Sequence, residues 1–383
     1  MTTFFHSIRK LPGPFWVLAG ATFVNRFGVF VWPFLTIIIT RQGHTAAQAG
    51  IAVSAYSAGN LIAAALGGWL ADRLGRNVTM ALSALGGAGC MMAMSQAAGW
   101  QALTLISLLT GLVSEAGNPA SAALVQDIVA PEQRVLAFAV QRFAVNLGWS
   151  FGPAVAGFLA DYSFFWLFVV DAATSAFFGI VAWLFLPRGR RAPKEMAGWS
   201  HAWESIRQNR PFLALFAACL CVSWIFRQSS TTFPLHFERS GISMHWCGAV
   251  LALNGVLICL FEIPLASATR GWPVRGVIGL GYVLMGGSFL AFLVTSTLWA
   301  FVAAMIVFTV GEMCSFSRQQ AYAASLAPDD MRGRYAGFLS FAWSIGGIVA
   351  SVAGLHLYEM APSLAWYVSA ALGVLGAWLL GRR

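Results

Sequence analysis

Long apolar runs, cut by short polar or Gly/Pro stretches, set the rhythm of this chain. A helix needs about 20 mostly apolar residues to cross a bilayer, where lipid offers its backbone no hydrogen-bond partner. On that criterion the pattern predicts twelve spans, at 15–40, 47–70, 78–97, 101–126, 134–160, 164–186, 212–236, 243–266, 276–295, 298–325, 334–358 and 362–381. The expected fold class is therefore an all-α membrane protein with twelve transmembrane helices. The first run is too long for the core of a cleaved signal peptide and carries Arg26 and Pro33, so it counts as span 1.

Composition sharpens this picture. Of 383 residues, 58% are hydrophobic and only 10% charged, against about 25% charged in a soluble protein. The formal charge of +9 would point to nucleic acid in a soluble chain. Here the loops account for it, and no nucleic-acid partner is expected. Of the 23 Lys and Arg, seventeen fall at the ends of the chain or in even-numbered loops, from Arg9 and Lys10 through Arg73, Arg76, Arg134, Arg188, Arg190, Arg191 and Lys194 to Arg270, Arg332 and Arg383. The opposite side holds Arg41 and Arg239. The positive-inside rule then puts both termini in the cytoplasm, of a plasma membrane or, in a bacterium, the inner membrane. The six cysteines lie in or beside apolar spans without metal-site spacing and read as packing residues, so no metal is expected.

A basic loop, 187–211, divides the chain into 1–186 and 212–383, six spans on each side, and its Trp199–Gln208 stretch can form a surface helix. The halves repeat. Arg26 and Pro33 of span 1 recur 201 residues later as Arg227 and Pro234 in span 7. Glu115, fifteen residues before Ala130-Pro131, recurs after 197 residues as Glu312, fifteen before Ala327-Pro328. Trp149-Ser150-Phe151-Gly152 recurs after 194 as Trp343-Ser344-Ile345-Gly346. Two pseudo-symmetric six-helix bundles are expected, as in transporters built from repeats around a midplane site.

The loop after span 2 reads Gly68-Trp69-Leu70-Ala71-Asp72-Arg73-Leu74-Gly75-Arg76-Asn77. It closely resembles the signature loop of the major facilitator superfamily, G-x-L-a-D-r-x-G-r-k. The resemblance implies a conformational latch made by Gly68, Asp72, Arg73, Gly75, Arg76 and Arg134. Gly68 would let two helices approach, and Gly75 would allow the tight turn. Asp72 would face a helix N-terminus or a basic group, Arg134 being the candidate. Arg73 and Arg76 would stay at the cytoplasmic surface. The counterpart in the second half, Ala268-Thr269-Arg270-Gly271-Trp272, is degenerate. Span 5 carries Gly148, Gly152, Pro153 and Gly157, which resembles the antiporter motif of the twelve-span drug/proton antiporters, with Ala156 replacing one glycine. Plain helix packing is the other reading of these small residues. Ser107 stands four residues before Gly111, where those antiporters carry an arginine, so that arginine's role in proton release does not carry over.

Charge inside a span costs several kcal/mol unless paired or hydrated. In the fold the resemblance implies, spans 1, 4, 7 and 10 line a central cavity. Arg26, Glu115, Arg227 and Glu312 lie on those spans at matching depths. Glu115 and Glu312 are the expected proton carriers, with Arg26, Arg142, Arg227 and Arg318 as switching partners; permanent Arg–Glu pairs are the structural alternative. Asn25, Trp32, Asn118, Arg142, Asn146, Gln319 and Tyr322 complete the expected substrate cavity, Glu312, Ser315, Gln319 and Tyr322 following helical spacing along span 10. Asp127, Asp171 and Glu262 read as gate or helix-end residues, and His236 and His356 lie near outer ends.

No H-E-x-x-H, G-x-S-x-G or Walker loop occurs, so neither an enzyme nor a primary pump is expected. The expected function is secondary transport by alternating access, as a proton-coupled exporter of small amphipathic compounds such as drugs or metabolites. The alternatives are passage of an anionic or zwitterionic metabolite and, more remotely, an intramembrane enzyme or lipid scramblase. No cofactor is expected, since a proton gradient would supply the energy. The expected partners are a small-molecule substrate, protons and membrane lipids, for a monomeric protein.

Overall fold

The computed structural model describes residues 11–130, 133–189, 199–269, 271–328 and 332–382. Arg9, Lys10, Pro131, Arg190, Arg191, Lys194, Arg270, Arg383 and the side chain of Arg332, all used in the charge or repeat patterns, lie outside the described residues. The described residues contain no strand. All twelve spans are present: span 1, Gly13–Phe27 continuing as Leu35–Arg41; span 2, Ala46–Leu74; span 3, Arg76–Gln96; span 4, Trp100–Ser114 and Gly117–Ile128; span 5, Arg134–Tyr162; span 6, Phe164–Phe185. The second set is span 7, Arg210–Gln228 and Thr232–Arg239; span 8, Met244–Ala268; span 9, Val274–Ser288 with a 3-10 turn Phe289–Leu293; span 10, Leu298–Leu326; span 11, Arg332–Met360; and span 12, Pro362–Gly381. A linker helix, Trp199–Gln208, precedes span 7. Large apolar side chains such as Ile263, Val294 and Trp299 stand exposed along the spans, a surface that only hydrocarbon would wet favourably. This is a multi-pass membrane protein.

Expected as continuous, spans 1, 4 and 7 are instead interrupted near their middles. In span 1 the helix stops at Phe27 and resumes through Trp32–Phe34. Pro33 removes a donor and disfavours helical backbone at Trp32. Span 7 repeats the break at Ser229–Thr231, ahead of Pro234. There the hydroxyls of Ser229, Ser230 and Thr231 turn back onto the carbonyls of Phe226 and Arg227, a local alternative to helix bonding. In span 4, Pro119 denies the Glu115 carbonyl its donor, and the helix is interrupted at Glu115–Ala116. The Ser83 hydroxyl of span 3 serves this gap, 2.6 Å from the Val113 carbonyl, 2.8 Å from that of Ser114, and accepting from the Gly117 amide at 2.8 Å. Span 10 has Phe316 at the position of Pro119 and runs unbroken past Glu312.

Two compact units result, but their boundary differs from a cut at the linker alone. The first takes the chain up to Trp32 and from Ala55 into the linker; the second takes Pro33–Ser54 and the rest of the chain from within the linker onward. The reason is local. At Gly50 a methyl group would collide with the Ser351 carbonyl oxygen of span 11, and the Ser54 hydroxyl donates to the Ile348 carbonyl at 2.8 Å. The Ala46 amide donates to Glu359, and Arg41 pairs with Glu238 at 2.5 Å. In the first unit, Leu11, Phe15, Leu18, Met80, Leu124 and Leu186 form a buried cluster. Close backbone contact replaces the hydrophobic drive that helices lack in lipid, with Gly59 on the Leu108 carbonyl and Gly111 on that of Tyr56.

Candidate functional site

In the first unit, the span 4 interruption places Glu115 on a chain of polar groups. Tyr56 of span 2 donates its phenol to Glu115 Oε1 at 2.5 Å. Asn118 donates its amide to Glu115 Oε2, and its carbonyl accepts from Arg26 at 3.0 Å. Arg26 reaches Glu115 through the Asn118 amide in this arrangement. Trp32 packs on the Tyr56 ring with centroids 3.5 Å apart. Span 5 makes room at Arg26. A methyl group on Gly148 would lie 2.7 Å from the Phe27 nitrogen, and one on Gly152 would lie 2.5 Å from the Phe27 carbonyl oxygen. Pro153 and Gly157 are buried in the same helix.

The second unit holds a related arrangement. Asn254 of span 8 donates to Glu312 Oε2 at 2.8 Å and to the Thr309 hydroxyl at 3.0 Å. Arg227 lies against Gly347 of span 11, where a methyl group would be 2.9 Å from its guanidinium. Sequence reasoning missed Tyr56 and Asn254. They lie 198 residues apart, so the repeat offset itself could have found them.

The other expected cavity residues have the following surroundings. Gln319 is buried and accepts from the Tyr282 phenol of span 9 at 2.6 Å, while Tyr322 lies under the Arg275 guanidinium. Arg318 bonds Thr269 and the Ala266 carbonyl at the end of span 8 rather than Glu312. Asn25 donates to Ser175 of span 6 at 3.1 Å. Arg142 is exposed and Asn146 half-buried, and no hydrogen bond joins either to Glu115 among the described residues. Glu262 accepts from Ser317 at 2.5 Å. His236 has both ring nitrogens engaged, with Tyr358 at 2.8 Å and Ser296 at 3.0 Å; His356 is exposed.

The signature loop is tighter than a surface turn. Gly75 takes φ 100°, a value open to glycine at little cost. Arg76 is 7% exposed rather than at the surface. Its guanidinium pairs with Asp72 and with Asp127 at 3.5 Å, and its amide donates to the Arg188 carbonyl at 2.9 Å. Arg134 is not the counter-ion of Asp72; it caps span 4 at the Gln126 and Val129 carbonyls. Arg73 lies 4.4 Å over the Trp69 ring. Nothing approaches the Cβ position of Gly68; its neighbour Gly67 makes the close contact, with Ala116.

Comparison with known proteins agrees with this architecture. The Major Facilitator Superfamily profile matches residues 18–351 and 241–383. A Na(+), Li(+), K(+)/H(+) antiporter of Planococcus maritimus is 26% identical, over 91% of this chain and 89% of its own. The multidrug resistance protein MdtH of Klebsiella pneumoniae is 24% identical, over 90% and 87%. The crystal structure of a peptide transporter POT in complex with sulfate shares the fold, with TM-score 0.81 at 18% identity, covering 97% of this chain and 94% of that one. With its signature loop, twelve spans and a profile match along nearly its whole length, this chain belongs to the Major Facilitator Superfamily of transporters.

Proposed function

We propose that the protein is a proton-coupled exporter of small amphipathic compounds, working by alternating access in a plasma membrane with both termini cytoplasmic. The observation that carries this reading is Glu115, a carboxyl at mid-span held by a phenol and by an amide that also engages Arg26. A group so placed can exchange a proton when its donors rearrange, and the cost of charge in hydrocarbon makes each protonation state selective for one arrangement. Glu312 with Asn254 would serve the same end in the second unit. The antiporter and multidrug names of two relatives lend the export direction support. The proton gradient supplies the energy without a cofactor, and each monomer is a complete machine.

An excess of arginine over glutamate on spans 1, 4, 7 and 10 would favour passage of an organic anion, but Arg318, the third arginine there, bonds neutral groups at the end of span 8. The test is reconstitution in liposomes loaded with a pH-sensitive dye and challenged with compound pools. Proton flux evoked by lipophilic cations supports export; flux evoked by sodium or potassium favours cation exchange; flux evoked only by organic anions overturns the proposal.

A further inference from the structure

Asp171 of span 6 is 4% exposed, and among the described residues no ion pair engages it. Its carboxylate faces the break in span 1. The Val31 amide donates to Oδ2 at 3.4 Å, and the Phe30 amide beside it, which donates to the Gly28 carbonyl at 2.8 Å, lies near the same carboxylate. Three successive levels align the two helices: Asn25 on Ser175, Gly28 against Thr174, and Val31 on Asp171. At the middle level a methyl group on Gly28 would occupy the space of the Thr174 side chain, so the fit is specific to glycine. The break also lies where the chain leaves the first compact unit, between Trp32 and Pro33.

A carboxylate offers full negative charge to the Val31 amide, which the broken helix leaves without a helical acceptor, and to the Phe30 amide beside it. A protonated carboxyl offers a weaker acceptor and adds a donor of its own. We propose that Asp171 is a proton-binding residue whose ionised form grips the backbone at the break in span 1 and whose protonated form releases it. One proton is taken up at one carboxylate oxygen, and nothing else is exchanged. The charged group that faces it is Arg26; the titratable groups on the other helices packed against span 6 are Arg76 and Cys90 of span 3 and Arg134, Arg142, Asp161 and Tyr162 of span 5. Arg26 also bonds Asn118, the amide that holds Glu115, so the two carboxyls of the first unit share one cation. The proton's place in a transport cycle rests on the proton-coupled reading above; the charge-controlled break does not.

The test is hydrogen–deuterium exchange, read by mass spectrometry on the whole protein in lipid nanodiscs and corrected for intrinsic exchange. In the wild type, the peptide spanning Phe27–Phe34 should lose about tenfold protection as pH falls from about 9 to about 5, an opening cost of a size seen in local unfolding. Asp171→Asn should be poorly protected at every pH, and the peptide over the span 7 break should show no such trend in either protein. A flat wild-type profile overturns the proposal without any variant, and so does an Asp171→Asn profile that still follows pH. If the pH-dependent protection is found while liposomes show no proton flux, the exporter reading falls and Asp171 keeps its assignment.

Discussion

Spans 1 and 7 break at corresponding residues, yet different chemistry holds the two breaks. In span 1 a buried carboxylate, Asp171, receives the backbone amides. In span 7 the work falls to neutral groups: Gln228 donates to the Ala350 carbonyl at 3.2 Å and accepts from Thr232 at 3.1 Å. The glutamates repeat the contrast. Glu115 sits at a helix interruption among a phenol, an amide and, beyond it, a guanidinium, whereas Glu312 sits on an unbroken helix beside Asn254. The repeat keeps the breaks of spans 1 and 7, the carboxyls and a donor from the second helix of each unit, but not the interruption of span 4. The first unit adds a buried carboxyl, Asp171, at its span break, where the second has the neutral Gln228. The two units thus carry one design with unequal sensitivity to protons.

The strongest way to break that comparison is to neutralise each carboxyl in turn. Glu115→Gln should cut proton-coupled flux in liposomes by about a hundredfold, the scale of losing a positioned proton-transfer group, and spare exchange without a gradient. Glu312→Gln should act in the same direction by about tenfold, since Glu312 sits on an unbroken helix rather than at an interruption that can rearrange. Uphill transport that survives both changes would end the carrier assignment, and a larger effect at Glu312 would invert the asymmetry.

Next in size is the latch. Arg76→Ala leaves Asp72 and Asp127 without their shared cation; with Asp72 half-exposed, the expected loss is about 2 kcal/mol, below that of a fully buried pair. Arg318→Ala at the span 8 end of the second unit removes hydrogen bonds to neutral acceptors and should cost about 1 kcal/mol. Thermal unfolding in matched detergent ranks the two, and equal losses would argue that both units carry an equivalent latch. Smaller again is Tyr56→Phe, which removes one donor from Glu115 and should slow coupled flux about fivefold, against about twofold for Asn254→Ala.

The fold was more legible in the sequence than the site, for a physical reason. Crossing a bilayer constrains composition over about twenty residues, so all twelve spans emerged within a few residues of their ends. The Arg/Glu sets emerged because a duplicated charge in hydrocarbon is conspicuous twice. Orientation about a helix axis was harder. Spacing put Gln319 on one stripe with Glu312, but only the packed structure reveals that Tyr282 claims it. The breaks were half visible. Pro33, Pro119 and Pro234 marked them, whereas the carboxyl and the serine that satisfy two of them come from spans 6 and 3, and no local pattern connects those positions. Arg76 read as a surface charge because its two aspartates are separated from each other by 55 residues of chain.

The smallest effect separates these membrane-embedded asymmetries from ordinary surface electrostatics. The linker helix belongs to the second unit, and Glu204 lies on its solvated side. The Gln208 amide, and after it the Arg207 guanidinium, hold the Glu204 carboxyl below the usual carboxylate range. A depressed value means that the folded helix favours the ionised form. Its contribution is complete above the ordinary glutamate range and disappears as pH falls through the depressed value. Because the group is fully solvated, screening keeps the effect slight. Amide exchange in residues 199–208 should therefore stay level from neutral pH down to about pH 5 and quicken only in stronger acid, with Glu204→Gln removing the acid limb. Raising the salt should erase part of it, whereas the pH response at the span 1 break, sheltered from counterions, should keep its size. Equal salt sensitivity at both places would mean that the buried carboxylate is no better insulated than a surface one, and the contrast between the two breaks would lose its physical basis.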